Sequence, residues 1–160
     1  MNKIKRPYSE AEKERLVEIL KNEAQFVPPD GMFRSLIDLG NRLKLKRKES
    51  IVKEGDIDDN MYIIVDGVMR VWYLDGGIEM THAFGSAGTM VHPMHCYYCG
   101  LPSPDTYEAC CPTELLKIRR DDFDRMAIED NNFARWLLSV SHLQLYHFEL
   151  RRRVIRGDDG

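Results

Sequence analysis

The sequence predicts a mostly β fold with flanking helices, a double-stranded β-helix (jelly roll) followed by a long C-terminal helix. Residues 51–74 read IVKEGDIDDNMYIIVDGVMRVWYL, in which short apolar runs alternate with glycine-containing turns. Turn signals recur about every ten residues between Leu43 and Ile118, a spacing typical of a roll or sandwich. Beyond Ile118 the apolar residues change to helical spacing.

Composition limits the classes of protein that fit. The chain has 160 residues, of which 43% are hydrophobic and 31% charged, which suits one globular domain with a real core. The net charge of -3 argues against a general polyanion-binding module. The sequence contains no apolar run of about 18 residues and no apolar segment typical of a secretory signal. We therefore expect a cytoplasmic protein with reduced thiols and no membrane association.

The N-terminal region, residues 1–41, is predicted to be helical. Ser9-Glu-Ala-Glu12 is a capping-box pattern, so a helix is expected from about Ser9 to Asn22. A second helix is expected over Asp30–Leu39, with Gly40 as its C-terminal stop.

Residues 42–118 are predicted to form the β-roll. Apolar and polar residues alternate there, as in half-buried strands. Prolines interrupt the alternation between Met90 and Asp105, so a loop with one helical turn is expected over that segment. The predicted strands are Leu43–Lys46, Met61–Val65, Val68–Leu74, Ile78–Phe84, Thr106–Cys111 and Glu114–Ile118.

Residues 119–160 are predicted to hold a short helix from near Arg120 and a long one over about Asn132–Arg156, capped by Asn131 or Asn132. Apolar positions recur on the long helix at intervals of four and three, which predicts a dimerisation surface. These positions are Trp136, Val140, Leu143, His147, Leu150 and Val154. A second stripe of Leu138, Leu145 and Phe148 could face the roll. The alternative is one amphipathic helix packed on its own domain.

The order of these features resembles the effector domain of Crp/Fnr-type bacterial transcription regulators, from about Arg42 to Arg156. The similarity is carried by Gly55, Gly67 and Gly88, by the run Met61-Tyr62-Ile63-Ile64, and by Leu115-Leu-Lys-Ile118 ahead of Arg120–Met126. The resemblance implies a cyclic-nucleotide-binding-like domain that forms a homodimer through its long helix. It also implies DNA binding through a helix-turn-helix domain, for which the chain ending at Gly160 leaves no room.

The segment after Gly88 departs from the nucleotide-binding members of that family. The resemblance places a ribose-binding glutamate at or near Pro93 and a phosphate-binding arginine near Ser103, and residues 89–108 contain no Arg or Lys. A buried phosphate without a cation is strongly disfavoured, so we predict that cyclic AMP is not the ligand and that no cofactor is bound.

A different small effector would be held mainly by aromatic, thioether and imidazole side chains. The candidate pocket residues are His92, Pro93, Met94, His95, Tyr97, Tyr98, Ser103 and Gln144. The alternative is a collapsed pocket filled by the same aromatic side chains.

Other classes of function were weighed against the effector domain. Cys96 and Cys99, with His92 and His95, have the donor types of a metal or redox sensor. Cys110 and Cys111 on a strand would point to opposite faces, so no metal site is assigned. A cupin-like metalloenzyme needs a His-x-His pair followed by a glutamate, which is missing, so no enzyme is expected. A ligand-free interaction scaffold is the remaining alternative.

Overall fold

The computed structural model describes residues 2–22, 26–91 and 94–157. Within these ranges the strands are β1 (Asn2–Ile4), β2 (Asn41–Leu45), β3 (Ser50–Val52), β4 (Met61–Asp66), β5 (Met69–Asp75), β6 (Ile78–Gly85), β7 (Met90–Val91), β8 (Thr106–Ala109) and β9 (Thr113–Ile118). The helices are α1 (Glu10–Asn22), α2 (Asp30–Leu39), α3 (Met94–Cys99), α4 (Arg120–Glu129) and α5 (Asn131–Gly157). None of the described helices combines the length and hydropathy needed to cross a membrane.

The strands form two antiparallel sheets, which confirms the predicted jelly roll with flanking helices. The larger sheet has the order β1-β2-β9-β4-β7, and the smaller one has the order β3-β8-β5-β6. The sequence did not predict β1, which pairs with β2 at the sheet edge. Its three residues, Asn-Lys-Ile, are too few to show an alternating pattern.

The N-terminal helices begin and end where local sequence signals place them. Glu12 N–H donates to Ser9 Oγ and Ser9 N–H donates to Glu12 Oε1, both at 3.2 Å, which confirms the capping box. Gly40 ends α2 in an extended conformation with φ -85°. Glycine is required there for space, because a Cβ would collide with the side chain of Leu116.

The apolar run of β4 is continuous because both faces of this strand are buried. Met61 and Ile63 belong to a helical core that fills the space between the larger sheet and the helices. Tyr62 and Ile64 point the other way, into a roll interior between the two sheets. In the adjacent β9, Leu116 likewise packs in the helical core and Leu115 in the roll interior. Strands buried on two sides carry apolar residues at successive positions.

Two turns fix the hairpins of the roll. Gly67, between β4 and β5, has φ +101°, and a Cβ there would lie 2.9 Å from the carbonyl oxygen of Pro112. Gly76 and Gly77 both have positive φ and connect β5 to β6 as a two-residue turn. Paired positive φ values match the right-handed twist of a hairpin and favour glycine at both positions.

The first half of α5 packs on its own domain. Trp136 is 1% exposed and meets Phe33 edge-on, with ring centroids 5.6 Å apart, and Val140 is also buried. Leu138 and Leu145 are 60% and 53% exposed, so the expectation that they face the roll was wrong. The side chain of Phe148 lies outside the described residues.

The N-cap of α5 was also wrongly assigned, because Asp130 Oδ1 accepts from the N–H groups of Asn132 and Phe133.

The predicted heptad positions therefore fall into two groups. Trp136 and Val140 are buried within their own domain, and Leu143 is half-buried. His147 and Leu150 are exposed, while the side chain of Val154 is outside the described part of α5. The face of α5 that is buried up to Val140 is therefore exposed to solvent further along the helix.

Replacing Trp136 with alanine tests this orientation. Trp136→Ala is expected to lower the free energy of unfolding by about 3–5 kcal/mol, because it empties the centre of the helical core. The control variant Ile128→Ala, at an apolar residue of α4 that is 81% exposed, should change it by less than about 0.5 kcal/mol. Urea denaturation followed by circular dichroism measures both, and equal losses would contradict the assigned orientation.

Candidate functional site

The candidate site is formed around residues 88–105, here termed the cassette, which connect β6 to β8. Gly88 N–H donates to Ile64 O at 2.8 Å, and Ile64 N–H donates to Thr89 O at 3.0 Å, so the cassette begins firmly attached to β4. It continues through β7 into α3, the single helical turn expected here. His92 and Pro93 lie outside the described residues, as do the side chains of Met94 and His95.

Ser103 fixes the far end of the cassette. Its N–H donates to Asp56 O at 2.7 Å, and its carbonyl accepts from Gly55 N–H at 2.8 Å. Its hydroxyl donates to Asp105 O at 2.7 Å and accepts from Asp105 N–H at 3.3 Å. With 2% of its surface exposed, Ser103 is a turn-forming residue whose polar atoms are already bonded.

The two predicted pocket tyrosines lie away from the roll interior. Tyr97 is buried in the helical core, where it packs edge-on against Phe123 at 5.5 Å and its hydroxyl bonds to the Asp124 carboxylate. Burial raises the pKa of Tyr97, and Asp124 raises it further, so the phenol stays protonated. Tyr98 is exposed. Tyr97 thus attaches α3 to α4 and is not placed to contact a ligand inside the roll.

The thiols of α3 are in different environments. Cys96 is buried, and its Sγ donates to Asp56 O at 3.7 Å, whereas Cys99 is exposed. Across residues 2–22, 26–91 and 94–157, no group of three or more His, Cys, Asp or Glu is placed to hold a metal ion. Despite their C-x₂-C spacing, the thiols of Cys96 and Cys99 therefore lie in different environments, one buried and one exposed.

A β-bulge places His82 beside the cassette. Val71 pairs with Ala83 and Trp72 pairs with Thr81, so His82 is the extra residue in β6. Its Nδ1 lies 3.5 Å from Asp105 Oδ1, and its ring centroid is 5.9 Å from that of Tyr73. The bulge thus directs an imidazole towards the carboxylate at the end of the cassette.

Two side chains of α5 reach the same region. Gln144 Nε2 donates to Met90 O at 3.0 Å, so this predicted pocket residue lies against the cassette. Arg151 Nη1 donates to His82 O at 3.1 Å. The long helix is therefore hydrogen-bonded both to the cassette and to the bulge.

Sequence reasoning missed Asp105 and Tyr107 as residues of this region, and it did not include His82 among the candidate pocket residues. Burial raises the pKa of Tyr107, and the Asp105 carboxylate raises it further, so this phenol remains a neutral group. The proline before Asp105 indicates a turn, but it does not indicate that His82 lies beside the Asp105 carboxylate. The β-bulge at His82 has no reliable signature in a single sequence. Together these groups offer a carboxylate, an imidazole and a phenol.

Two surface cavities lie away from the cassette. Two cavities of about 380 and 110 Å³ both border Tyr8, on the N-terminal side, and neither is lined by a residue of the cassette. The roll interior is filled by side chains such as Leu45, Tyr62 and Met69.

Comparison with known proteins places this geometry in a family. The model of the cyclic nucleotide-binding domain matches residues 42–130. A cyclic nucleotide-binding domain from Methylobacillus flagellatus KT is similar with a TM-score of 0.73 at 21% identity, over 90% of this chain and 81% of that one. The catabolite activator protein of Thermus thermophilus gives 0.69 at 20% identity, over 82% and 62% of the two chains.

A third structure, the sensor domain of the transcriptional regulator DNR from Pseudomonas aeruginosa, gives a TM-score of 0.65 at 14% identity, over 87% of this chain and 93% of that one. Identities this low show a shared fold. No protein with a curated description matches the sequence.

The hydrogen bond between α5 and the cassette can be tested by exchange. Gln144→Ala is expected to reduce amide protection in α5 and around Met90, by the equivalent of about 0.5–1.5 kcal/mol for one lost bond. Glu149→Ala, at an exposed residue further along α5, is the control and should leave Met90 unchanged. Hydrogen–deuterium exchange with mass spectrometry measures both. The same protection at Met90 in Gln144→Ala and in the unmodified chain would show that this bond does not hold the helix.

Proposed function

We propose that this chain, which belongs to the cyclic nucleotide-binding domain family, is the effector-sensing and dimerisation domain of a Crp/Fnr-type transcriptional regulator. This family is one of regulatory ligand-binding domains, and we assign the chain no catalytic activity. It acts in the cytoplasm, and DNA is bound through a helix-turn-helix module that these 160 residues do not include.

The observation that carries this proposal is the contact of α5 with the cassette. Gln144 bonds to the backbone of β7, and Arg151 bonds to the backbone of the His82 bulge. An effector that moves the cassette changes the energy of both bonds, and α5 is thereby shifted. A ligand acts on a distant site through such differential contacts.

The effector is not a cyclic nucleotide. Residues 89–108 contain no Arg or Lys, and the hydroxyl of Ser103 is engaged by the backbone of its own turn. The Asp105 carboxylate, 12% exposed, lies two residues from Ser103, near which the resemblance places the phosphate-binding arginine. Bringing a second anion there adds repulsion to the desolvation cost. A neutral or cationic molecule that donates hydrogen bonds fits this charge distribution better.

The homodimer forms through the exposed part of α5. Leu145, Tyr146 and Leu150 are all at least 40% exposed and follow one another over less than two turns. With Leu138 they give the helix an apolar surface beyond the part buried in its own domain. Pairing two such helices removes these side chains from water. Trp136 and Val140 contribute by holding the helix in place.

Cyclic AMP titrated into the chain in a calorimeter is expected to give no saturable binding up to about 1 mM, which means a binding free energy weaker than about -4 kcal/mol. A domain known to bind cyclic AMP, run in the same buffer, shows that the assay detects the ligand. Micromolar affinity for the chain would overturn the proposed ligand class.

Leu145→Glu is expected to weaken the dimer at least about tenfold, or about 1.4 kcal/mol, because it places a charge in the helix pair. Leu74→Glu is the matched control, since Leu74 is 51% exposed but lies on β5. Sedimentation equilibrium measures the dissociation constants, and native mass spectrometry of the freshly purified chain shows any retained effector. A monomeric parent, or equal weakening by both variants, would contradict dimerisation through α5.

A further inference from the structure

A second pair of cysteines lies outside the cassette, in the turn between β8 and β9. The sequence predicts a strand up to Cys111, in which neighbouring side chains point to opposite faces. In the structure β8 ends at Ala109 and β9 begins at Thr113, so Cys110 and Cys111 both lie in the turn. The strand geometry that would separate the two thiols therefore does not apply to them.

The turn that carries this pair is held rigidly. Cys110 N–H donates to Val68 O at 2.9 Å, and Thr113 Oγ1 donates to Cys111 O at 2.8 Å. Gly67 packs closely against Pro112 and Thr113 from the neighbouring turn. Donor groups on a fixed backbone bind without the entropy cost of ordering a loop.

Both thiols are free and half-buried. Burial raises the pKa of the Cys110 thiol, and the nearby Cys111 adds to the rise, while Arg70 and Arg47 oppose it. Electrophilic reagents that react with thiolates should therefore modify Cys110 slowly at neutral pH. Cys110 and Cys111 are consecutive residues of this turn, so their side chains start from Cα atoms about 3.8 Å apart.

Two adjacent sulfurs suit a ligand that needs no further protein donor. Among the described residues, no three His, Cys, Asp or Glu side chains lie close enough together to hold a metal ion, which disfavours tetrahedral zinc at this turn. Soft centres take thiolate ligands, and a trivalent arsenic atom bearing one organic group is saturated by two sulfurs.

We propose that Cys110 and Cys111 form a dithiol site that chelates trivalent organoarsenicals. With phenylarsine oxide as the probe, two arsenic–sulfur bonds form and the arsenic–oxygen bond breaks. The two thiol protons leave with that oxygen as water, and arsenic stays trivalent, so no oxidant or reductant is required. The second sulfur binds intramolecularly, so the pair should bind about a hundredfold or more tightly than one thiol.

The experiment titrates phenylarsine oxide into the reduced full chain and measures intact mass. One arsenical per chain is expected, stable to excess monothiol and released by a 1,2-dithiol. Cys110→Ser and Cys111→Ser should each lose this stable adduct, while Cys96→Ser and Cys99→Ser, in the other cysteine pair, should keep it. Circular dichroism confirms that each variant is folded.

Cys111→Ala gives an independent test if a serine variant misfolds, because the Cys111 thiol makes only a long contact of 3.9 Å with Thr113 Oγ1. It should also lose the adduct. An adduct that survives in Cys111→Ala, or that disappears in Cys99→Ser, would overturn the assignment. Failure of the parent chain to bind the probe would do the same.

Discussion

β4 and β9 lie side by side in the larger sheet and bury side chains on both faces. Met61, Ile63 and Leu116 contact the helical core, while Tyr62 and Ile64 fill the roll interior. Burying each such side chain is worth about 1.5–3 kcal/mol, so neither layer is stable without these two strands. The helices are therefore part of the same folding unit as the roll. The cassette depends on it too, because its first hydrogen bonds are made to Ile64.

The two ends of the cassette are held mainly by backbone hydrogen bonds. Gly88 and the bonds of Ser103 fix its two ends, and both use mainly backbone groups. Backbone anchoring is independent of which side chains line the segment. A change of ligand-binding side chains in this segment therefore does not require a new fold. This separation of scaffold from ligand chemistry is consistent with the different effector that we propose for this member of the family.

Local features of the fold were predictable from the sequence, and contacts between distant segments were not. The capping box at Ser9 and the Gly76-Gly77 turn depend on neighbours in the chain, so their patterns are sufficient. Trp136 and Leu138 are both apolar helix residues, and only the position of Phe33 decides which of them is buried. The His82 bulge depends on the register with β5, which periodicity does not specify. The candidate site is assembled from such distant contacts, so less of it was foreseen than of the fold.

The division of α5 into a buried and an exposed part has a mechanical consequence. Val140 lies at the edge of the helical core, and the 17 residues from there to Gly157 form a rod about 26 Å long. A tilt of about ten degrees at Val140 moves the far end by about 4–5 Å, by simple geometry of a helix with this rise. Apolar packing fixes the near end, while polar bonds from Gln144 and Arg151 attach the rod further along. Such bonds exchange readily with water, so in the proposed function the helix would tilt about its fixed end near Val140, with its far part only weakly held.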